Sequence, residues 1–268
     1  IRDVERSLGS EMCIRDSYGA GYDHIDIKTA LQRGIIVTNT PSVLTTDTAD
    51  MTMALILAIP RKLREGHEEM QSGNWKGWSP SAMIGMRITG KKLGILGMGR
   101  IGQAIAKRAR AFDLKINYHN RRRLHKNIEK SLSATYWENL EEMLSAVDIL
   151  VVSASLNSSS LYLLNAKCLG KMKRTAYLVN ISRGEIIDQK ALVRQLKDGR
   201  LGGAGLDVYD SEEVIGSDFK SLKNVFLLPH MGSSTLEGRI EMGEKVIINI
   251  KTYLDGHRPP DQIVPSML

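Results

Sequence analysis

Lys92-Leu-Gly-Ile-Leu-Gly-Met-Gly-Arg-Ile-Gly-Gln-Ala-Ile-Ala106 decides the fold of this chain. Residues 93–96 are a short apolar run, the pattern of a strand buried on both faces. The run passes directly into Gly97-Met98-Gly99-Arg100-Ile101-Gly102, and residues 103–112 follow with apolar side chains at helical spacing. A strand, a glycine turn and a helix in that order form the phosphate-binding unit of a dinucleotide fold. Gly97 permits the tight turn, Gly99 lets the backbone approach a pyrophosphate, and Gly102 lets the helix pack close to the strand. Backbone N–H groups at the helix start, at Arg100 and Ile101, then face the phosphates.

Working outward, a second strand over residues 114–119 ends 17 residues after Gly102. Sites for the unphosphorylated dinucleotide place Asp or Glu about 20 residues beyond the glycines, on the ribose 2′-OH. Here the chain reads Asn120-Arg121-Arg122-Arg123, with no acid. A carboxylate repels a 2′-phosphate, whereas guanidinium groups pair with it. The charge pattern therefore favours NADPH, with NADH as the weaker alternative. One of the three arginines can equally belong to a solvated basic turn.

Strands and helices alternate on both sides of this unit. Strands are expected at residues 148–153, 176–180, 203–208 and 225–228, with helices at 140–146, 189–197 and 236–254. Such alternation describes an α/β protein with a doubly wound parallel sheet. Upstream, residues 18–26 form a glycine turn, 27–33 a short helix, 35–38 a strand, and 45 to about 66 a long helix that Pro60 kinks or ends. Residues 1–17 have neither helical nor strand periodicity and read as a non-native segment.

Composition narrows the function classes. At 268 residues with 42% hydrophobic and 25% charged residues, the chain suits two globular domains. It has no apolar run long enough to span a membrane and no evident signal peptide. Cys13 and Cys168 lack metal or redox spacing, as in a cytoplasmic protein with reduced thiols. The net charge of +7 comes without aromatic–basic interleaving or a nucleic-acid reader motif. It suits a polyanionic cofactor and an anionic substrate rather than nucleic acid.

Three residues follow strands and so belong to one edge of the sheet: Arg183, Glu212 and His230. A His beside a Glu is an acid–base pair, and a nearby Arg can clamp a carboxylate. With a hydride donor these are the parts needed to reduce a 2-keto acid. A histidine after a proline can equally cap a turn, and Arg and Glu can equally be surface residues.

From residue 18 onward the chain resembles the D-isomer-specific 2-hydroxyacid dehydrogenases, and among them the glyoxylate/hydroxypyruvate reductases. The resemblance rests on Gly19-Ala-Gly-Tyr-Asp-His-Ile-Asp26, Arg33-Gly-Ile-Ile-Val-Thr-Asn-Thr-Pro41, the glycine turn, Asn180-Ile-Ser-Arg-Gly184, Gly205-Leu-Asp-Val208 and Leu228-Pro-His-Met-Gly-Ser233. It implies Arg183, Glu212 and His230 as catalytic residues, His230 donating the proton. It implies substrate binding by the N–H groups of Ala20 and Gly21, by Arg183, and by Trp78 reaching into the site of a second subunit of a homodimer. For Trp78 the alternative is a buried loop anchor. Asn120, Arg121, Arg122, Ser155, Ile181 and Asp207 join the glycine turn as cofactor-binding residues, and no metal is implied. The resemblance divides the chain into a remnant of the substrate-binding domain with an interdomain helix (18–66), the dinucleotide-binding domain (67–235) and a C-terminal helix and tail returning to the first (236–268).

The chain departs from the family pattern in three places. Glu212 is followed by Glu213 where the family has Pro, and the loop over residues 154–160 replaces a segment richer in Pro and Thr. The βα units that open the family's substrate domain are absent, which is expected to leave the strand at 35–38 with an unpaired edge. Phosphoglycerate or D-lactate oxidation, an inactive truncated fragment and a dinucleotide-sensing binding protein stand as alternatives.

Overall fold

A computed structural model describes residues 13–210 and 217–264. These described residues divide into two compact units, one up to Asp47 together with those from Ser233 onward, and one of those from Thr48 to Gly232. The boundary lies between Asp47 and Thr48, within the stretch expected to hold an interdomain helix. The physical reason is burial: Leu55, Ile56 and Ile59 belong to the core of the second unit.

In the first unit, β1 (Ile14–Asp16) pairs in parallel with β2 (Ile36–Thr38), and α1 (Ile27–Gln32) connects them. Asp26 caps α1 by accepting the Thr29 N–H at 3.0 Å. The edge of β2 expected to be unpaired is thus occupied, with Ile14, Arg15 and Asp16 opposite Ile36, Val37 and Thr38. The Thr38 hydroxyl donates to the Asp16 carboxylate, and burial pushes the Asp16 carboxyl above its usual range. Sequence periodicity missed β1 because three residues are too short to show it. A small core of Ile25, Ile27, Ala30, Val37 and Ile263 lies beneath.

Next, the helical stretch expected from residue 45 to about 66 forms α2 (Thr45–Ala58) and α3 (Leu63–Ser72), parted at Pro60 and running on to Ser72. Pro60 lies in the break. With no ring-free N–H to continue the helical ladder, it ends α2, and its carbonyl accepts the Met86 N–H at 2.8 Å instead.

The second unit is then built in chain order. Its elements are β3 (Lys92–Leu96), α4 (Arg100–Ala111), β4 (Lys115–His119), α5 (Lys126–Leu132), β5 (Thr135–Tyr136), α6 (Leu140–Ala146) and β6 (Ile149–Val152). They continue with α7 (Ala166–Leu169), β7 (Tyr177–Asn180), α8 (Gln189–Lys197), β8 (Gly203–Leu206), α9 (Ser217–Lys220) and β9 (Val225–Leu227). The strands form one parallel seven-stranded sheet in the order β5-β4-β3-β6-β7-β8-β9. The order reverses between β3 and β6, the point at which such sheets bind ligands beyond their carboxyl ends.

Side-chain alternation sorts the strands onto two cores. Leu150 and Val152 face one cluster with Leu192 and Leu196 of α8; Ile149 and Val151 face the other with Ile105 of α4 and Leu55 of α2. Both faces are therefore covered by helices, which is why β6 reads as an unbroken apolar run. At Gly205 of β8 an added Cβ would lie 2.4 Å from Ile59 Cδ1, so glycine there admits the end of α2 against the sheet. The last helix, α10 (Leu236–Leu254), belongs to the first unit. Thr235 caps it through the Gly238 N–H at 2.9 Å. The tail that follows returns to β2, where the Ile263 N–H meets the Val37 carbonyl at 2.8 Å.

Candidate active site

The glycine turn between β3 and α4 is held from two sides. Gly97 has φ of 97°, a conformation that favours glycine. A Cβ on it would lie 2.5 Å from Ala154 N, beyond the end of β6. Its carbonyl accepts the Ser153 hydroxyl at 2.6 Å. A Cβ at Gly102 would lie 2.3 Å from that same carbonyl, so α4 starts in direct contact with the turn. Gly99, the N-cap of α4, differs: an added Cβ would meet nothing within 4 Å. The open space lies at the N-terminus of a 12-residue helix whose first N–H groups need partners. A dinucleotide pyrophosphate fits there, against Gly99, Arg100 and Ile101.

The loop after β4 lies beside the turn. Asn120 turns its side chain inward, where Oδ1 accepts the Met98 N–H at 2.7 Å. Arg121 and Arg122 are exposed. Arg123 forks onto Glu129, with Nε to Oε1 and Nη2 to Oε2 both at 2.8 Å. This bidentate pair is the signal for which the sequence left one arginine open.

Three further loops leave the same edge of the sheet. After β6, Ser155 is exposed and its carbonyl accepts the Ser160 hydroxyl at 2.8 Å. After β7 come buried Ile181 and partly exposed Arg183, whose Nη1 donates to the Ser182 carbonyl at 2.8 Å. A Cβ on Gly184 would lie 1.9 Å from the Tyr209 carbonyl carbon, so glycine lets the Arg183 loop press on the chain beyond β8. The Tyr209 hydroxyl in turn donates to the Leu228 carbonyl at 2.7 Å, two residues before His230.

Asp207 completes this lacing. It is 2% exposed, and its carboxylate accepts the N–H groups of Met231 at 2.8 Å and Gly232 at 2.7 Å. His230 lies in the loop so held, exposed and with φ of 52°. This conformation is uncommon for a residue with a side chain and persists where surroundings impose it. Glu212 lies outside the described residues.

In the first unit the glycine turn directs its carbonyls inward. The Gly19 carbonyl accepts the Thr40 N–H at 3.0 Å, that of Ala20 accepts Asn39 Nδ2 at 2.8 Å, and that of Gly21 accepts the Ser17 hydroxyl at 2.9 Å. Among the described residues nothing accepts from the N–H groups of Ala20 or Gly21. Trp78, in the loop after α3, is 84% exposed. This is no buried anchor.

Residues 53–232 match the NAD-binding domain of the D-isomer-specific 2-hydroxyacid dehydrogenases. The chain belongs to this family. As a D-2-hydroxyacid dehydrogenase it is an oxidoreductase with a nicotinamide dinucleotide-binding domain. It is 45% identical over 248 residues to a glyoxylate reductase of Pyrococcus furiosus, covering 91% of this chain and 73% of the relative. A glyoxylate reductase of Thermococcus kodakarensis is also 45% identical, with 91% and 74% covered. A similar solved structure is the NADPH-dependent glyoxylate/hydroxypyruvate reductase of Sinorhizobium meliloti in complex with NADP and malonate. It matches with a TM-score of 0.87 and 36% identity over 94% of this chain and 77% of that one. The chain thus spans about three quarters of the length of these relatives. Among the described residues no helix is long and apolar enough to cross a membrane, and no cluster of His, Cys, Asp or Glu is arranged to hold a metal ion.

Proposed function

We propose that this D-2-hydroxyacid dehydrogenase reduces glyoxylate or hydroxypyruvate, to glycolate or D-glycerate, with NADPH as the preferred cofactor and NADH as the weaker one. The observation that carries this reading is topological. In one parallel sheet the glycine turn, the Arg121–Arg122 pair, Ser155, Ile181, Arg183, Asp207 and His230 all follow the carboxyl ends of strands, at one edge. The relatives' activities point to the same substrate class.

A reduced dinucleotide held by the glycine turn and by Arg121 and Arg122 would supply the hydride that the keto acid needs. His230 delivers the proton to the keto oxygen. A general acid must carry its proton to donate it, and Glu212 is the carboxylate assigned to act with His230. Arg183 recognises the substrate carboxylate through its guanidinium. Ala20 and Gly21 are proposed as substrate-binding residues through their N–H groups. Asp207 keeps the His230 loop in place through the Met231 and Gly232 N–H groups. Arg121 and Arg122 pair with the 2′-phosphate of NADPH, which carries the cofactor preference. Exposed Trp78 reaches a second copy of the chain in a homodimer, and the protein works in the cytoplasm.

The test is cofactor oxidation by the purified chain with glyoxylate and with hydroxypyruvate, using NADPH and then NADH. Turnover favouring NADPH supports the reading. Intact NADPH binding without turnover on either acid rejects the reductase activity for this chain. His230→Ala is expected to cut turnover steeply and leave NADPH affinity nearly unchanged; normal turnover in that variant removes His230 from the mechanism.

A further inference from the structure

Among the described residues two carboxylates are buried, Asp207 and Glu129. Asp207 holds the His230 loop. Glu129 lies on α5 and is 8% exposed. A buried carboxylate is costly unless its charge is paired and its oxygens are hydrogen-bonded. Glu129 satisfies both conditions. Oε1 accepts the Tyr118 hydroxyl at 2.6 Å and Arg123 Nε at 2.8 Å; Oε2 accepts Arg123 Nη2 at 2.8 Å. Tyr118 is fully buried in β4, and its hydroxyl also accepts the Leu124 N–H at 3.0 Å.

The same cluster reaches the other end of the loop. The Arg123 guanidinium lies 5.5 Å from the centre of the Tyr136 ring. The Tyr136 hydroxyl donates to the Asn120 carbonyl at 3.3 Å, and the Asn120 side chain accepts the Met98 N–H in the glycine turn. Asn120 and Arg123 are therefore both tied down, one to the phosphate-binding turn and one to Glu129. Only Arg121 and Arg122 lie between these anchors.

We infer that Glu129 is a positioning residue for cofactor discrimination. It fixes Arg123 as a strut, not as a third phosphate contact, and so presents Arg121 and Arg122 in place for the 2′-phosphate of the dinucleotide. The inference rests on the reading of Arg121 and Arg122 as the 2′-phosphate contacts. Its physical basis is preorganisation: a loop ordered before binding loses less conformational freedom when the ligand arrives.

The sign of one substitution separates a strut from a captive ligand. If Glu129 holds Arg123 as a strut, Glu129→Gln slackens the loop and NADPH affinity falls. If Glu129 withholds Arg123 from the phosphate, the same change releases a guanidinium and NADPH affinity rises. The experiment titrates the full chain with NADPH and with NADH, for the wild type, Glu129→Gln, Tyr118→Phe and the Arg121→Ala/Arg122→Ala double variant. Glu129→Gln is expected to lower NADPH affinity about tenfold while NADH affinity stays within about twofold. General damage to the fold would weaken both cofactors alike, so the ratio of the two affinities is the readout. Tyr118→Phe removes only a hydroxyl and is expected to lower the ratio about threefold; it decides the matter if Glu129→Gln does not fold.

Equal wild-type affinities for NADPH and NADH overturn both the reading of the arginines and this inference. A wild-type preference that the double variant abolishes, but that Glu129→Gln and Tyr118→Phe leave intact, overturns the inference alone. A rise in NADPH affinity in Glu129→Gln also overturns it.

Discussion

The Asp207 carboxylate accepts the Gly232 N–H at 2.7 Å, joining the chain after β8 to the loop that carries His230. The Met231 N–H meets the other oxygen at 2.8 Å. A Cβ on Gly232 would lie 2.8 Å from the same carboxylate, so glycine permits this approach. Asp207→Asn replaces one acceptor oxygen with an NH2 group, leaving one of the two backbone N–H groups without its acceptor. The expected cost is about 1–3 kcal/mol in denaturant unfolding, with glyoxylate turnover falling more than NADPH affinity. Unchanged stability together with unchanged turnover would show that this bond does not hold the loop.

Gly99 and Gly102 are expected to respond in opposite ways to alanine. At Gly99 an added methyl meets nothing and the backbone φ is −78°, so stability should stay within about 0.5 kcal/mol. The methyl would stand where a pyrophosphate approaches, and NADPH affinity should fall at least about tenfold. At Gly102 the methyl would lie 2.3 Å from the Gly97 carbonyl oxygen. Stability should drop by about 1–3 kcal/mol as α4 moves away from the turn. Melting curves and NADPH titrations of both variants check the contrast; normal NADPH binding in Gly99→Ala would place the phosphates elsewhere.

The Glu129 cluster predicts the pH response of the second unit. The Arg123 guanidinium and the Tyr118 hydroxyl lower the Glu129 carboxyl from its ordinary 4.5 to about 2. A depressed carboxyl stabilises the fold above its unfolded value and ceases to do so as pH falls from about 4.5 through about 2. Burial, with the bond to Glu129, pushes Tyr118 up to about 12. A raised phenol contributes below its ordinary 10 and is lost as pH rises through about 12. Thermal melts across acid pH are expected to show a steeper loss in the wild type than in Glu129→Gln. Parallel curves would remove Glu129 from the acid response.

Thr40 offers a prediction of gain. Its hydroxyl is buried without a hydrogen-bond partner among the described residues. Valine has nearly the same shape and lacks the group whose desolvation is uncompensated. Thr40→Val is expected to stabilise the chain by about 1 kcal/mol, read as a higher melting temperature. A lower one would show that the hydroxyl has a partner in solution.

Local signals were legible where local contacts decide. The limits of α6, α8 and α10 coincide with those read from the sequence, because each begins at a cap made within three residues. Asn139 accepts the Glu141 N–H, Asp188 that of Ala191, and Thr235 that of Gly238. The glycine turn was legible for the same reason. Neither α5 nor the two-residue β5 was anticipated: they are short, and β5 exists through its pairing with β4.

By itself the sequence determined a doubly wound parallel sheet with a phosphate-binding turn after β3, since apolar runs, glycines and caps act between near neighbours. Only the tertiary structure decided which polar side chains face inward. Asn120 turns to Met98 across 22 residues, and Asp207 reaches Gly232 across 25. Arg123 leaves the basic run for Glu129 of α5, which the buried Tyr118 hydroxyl of β4 also binds. Such pairings depend on which strands become neighbours, and no spacing along the chain encodes that.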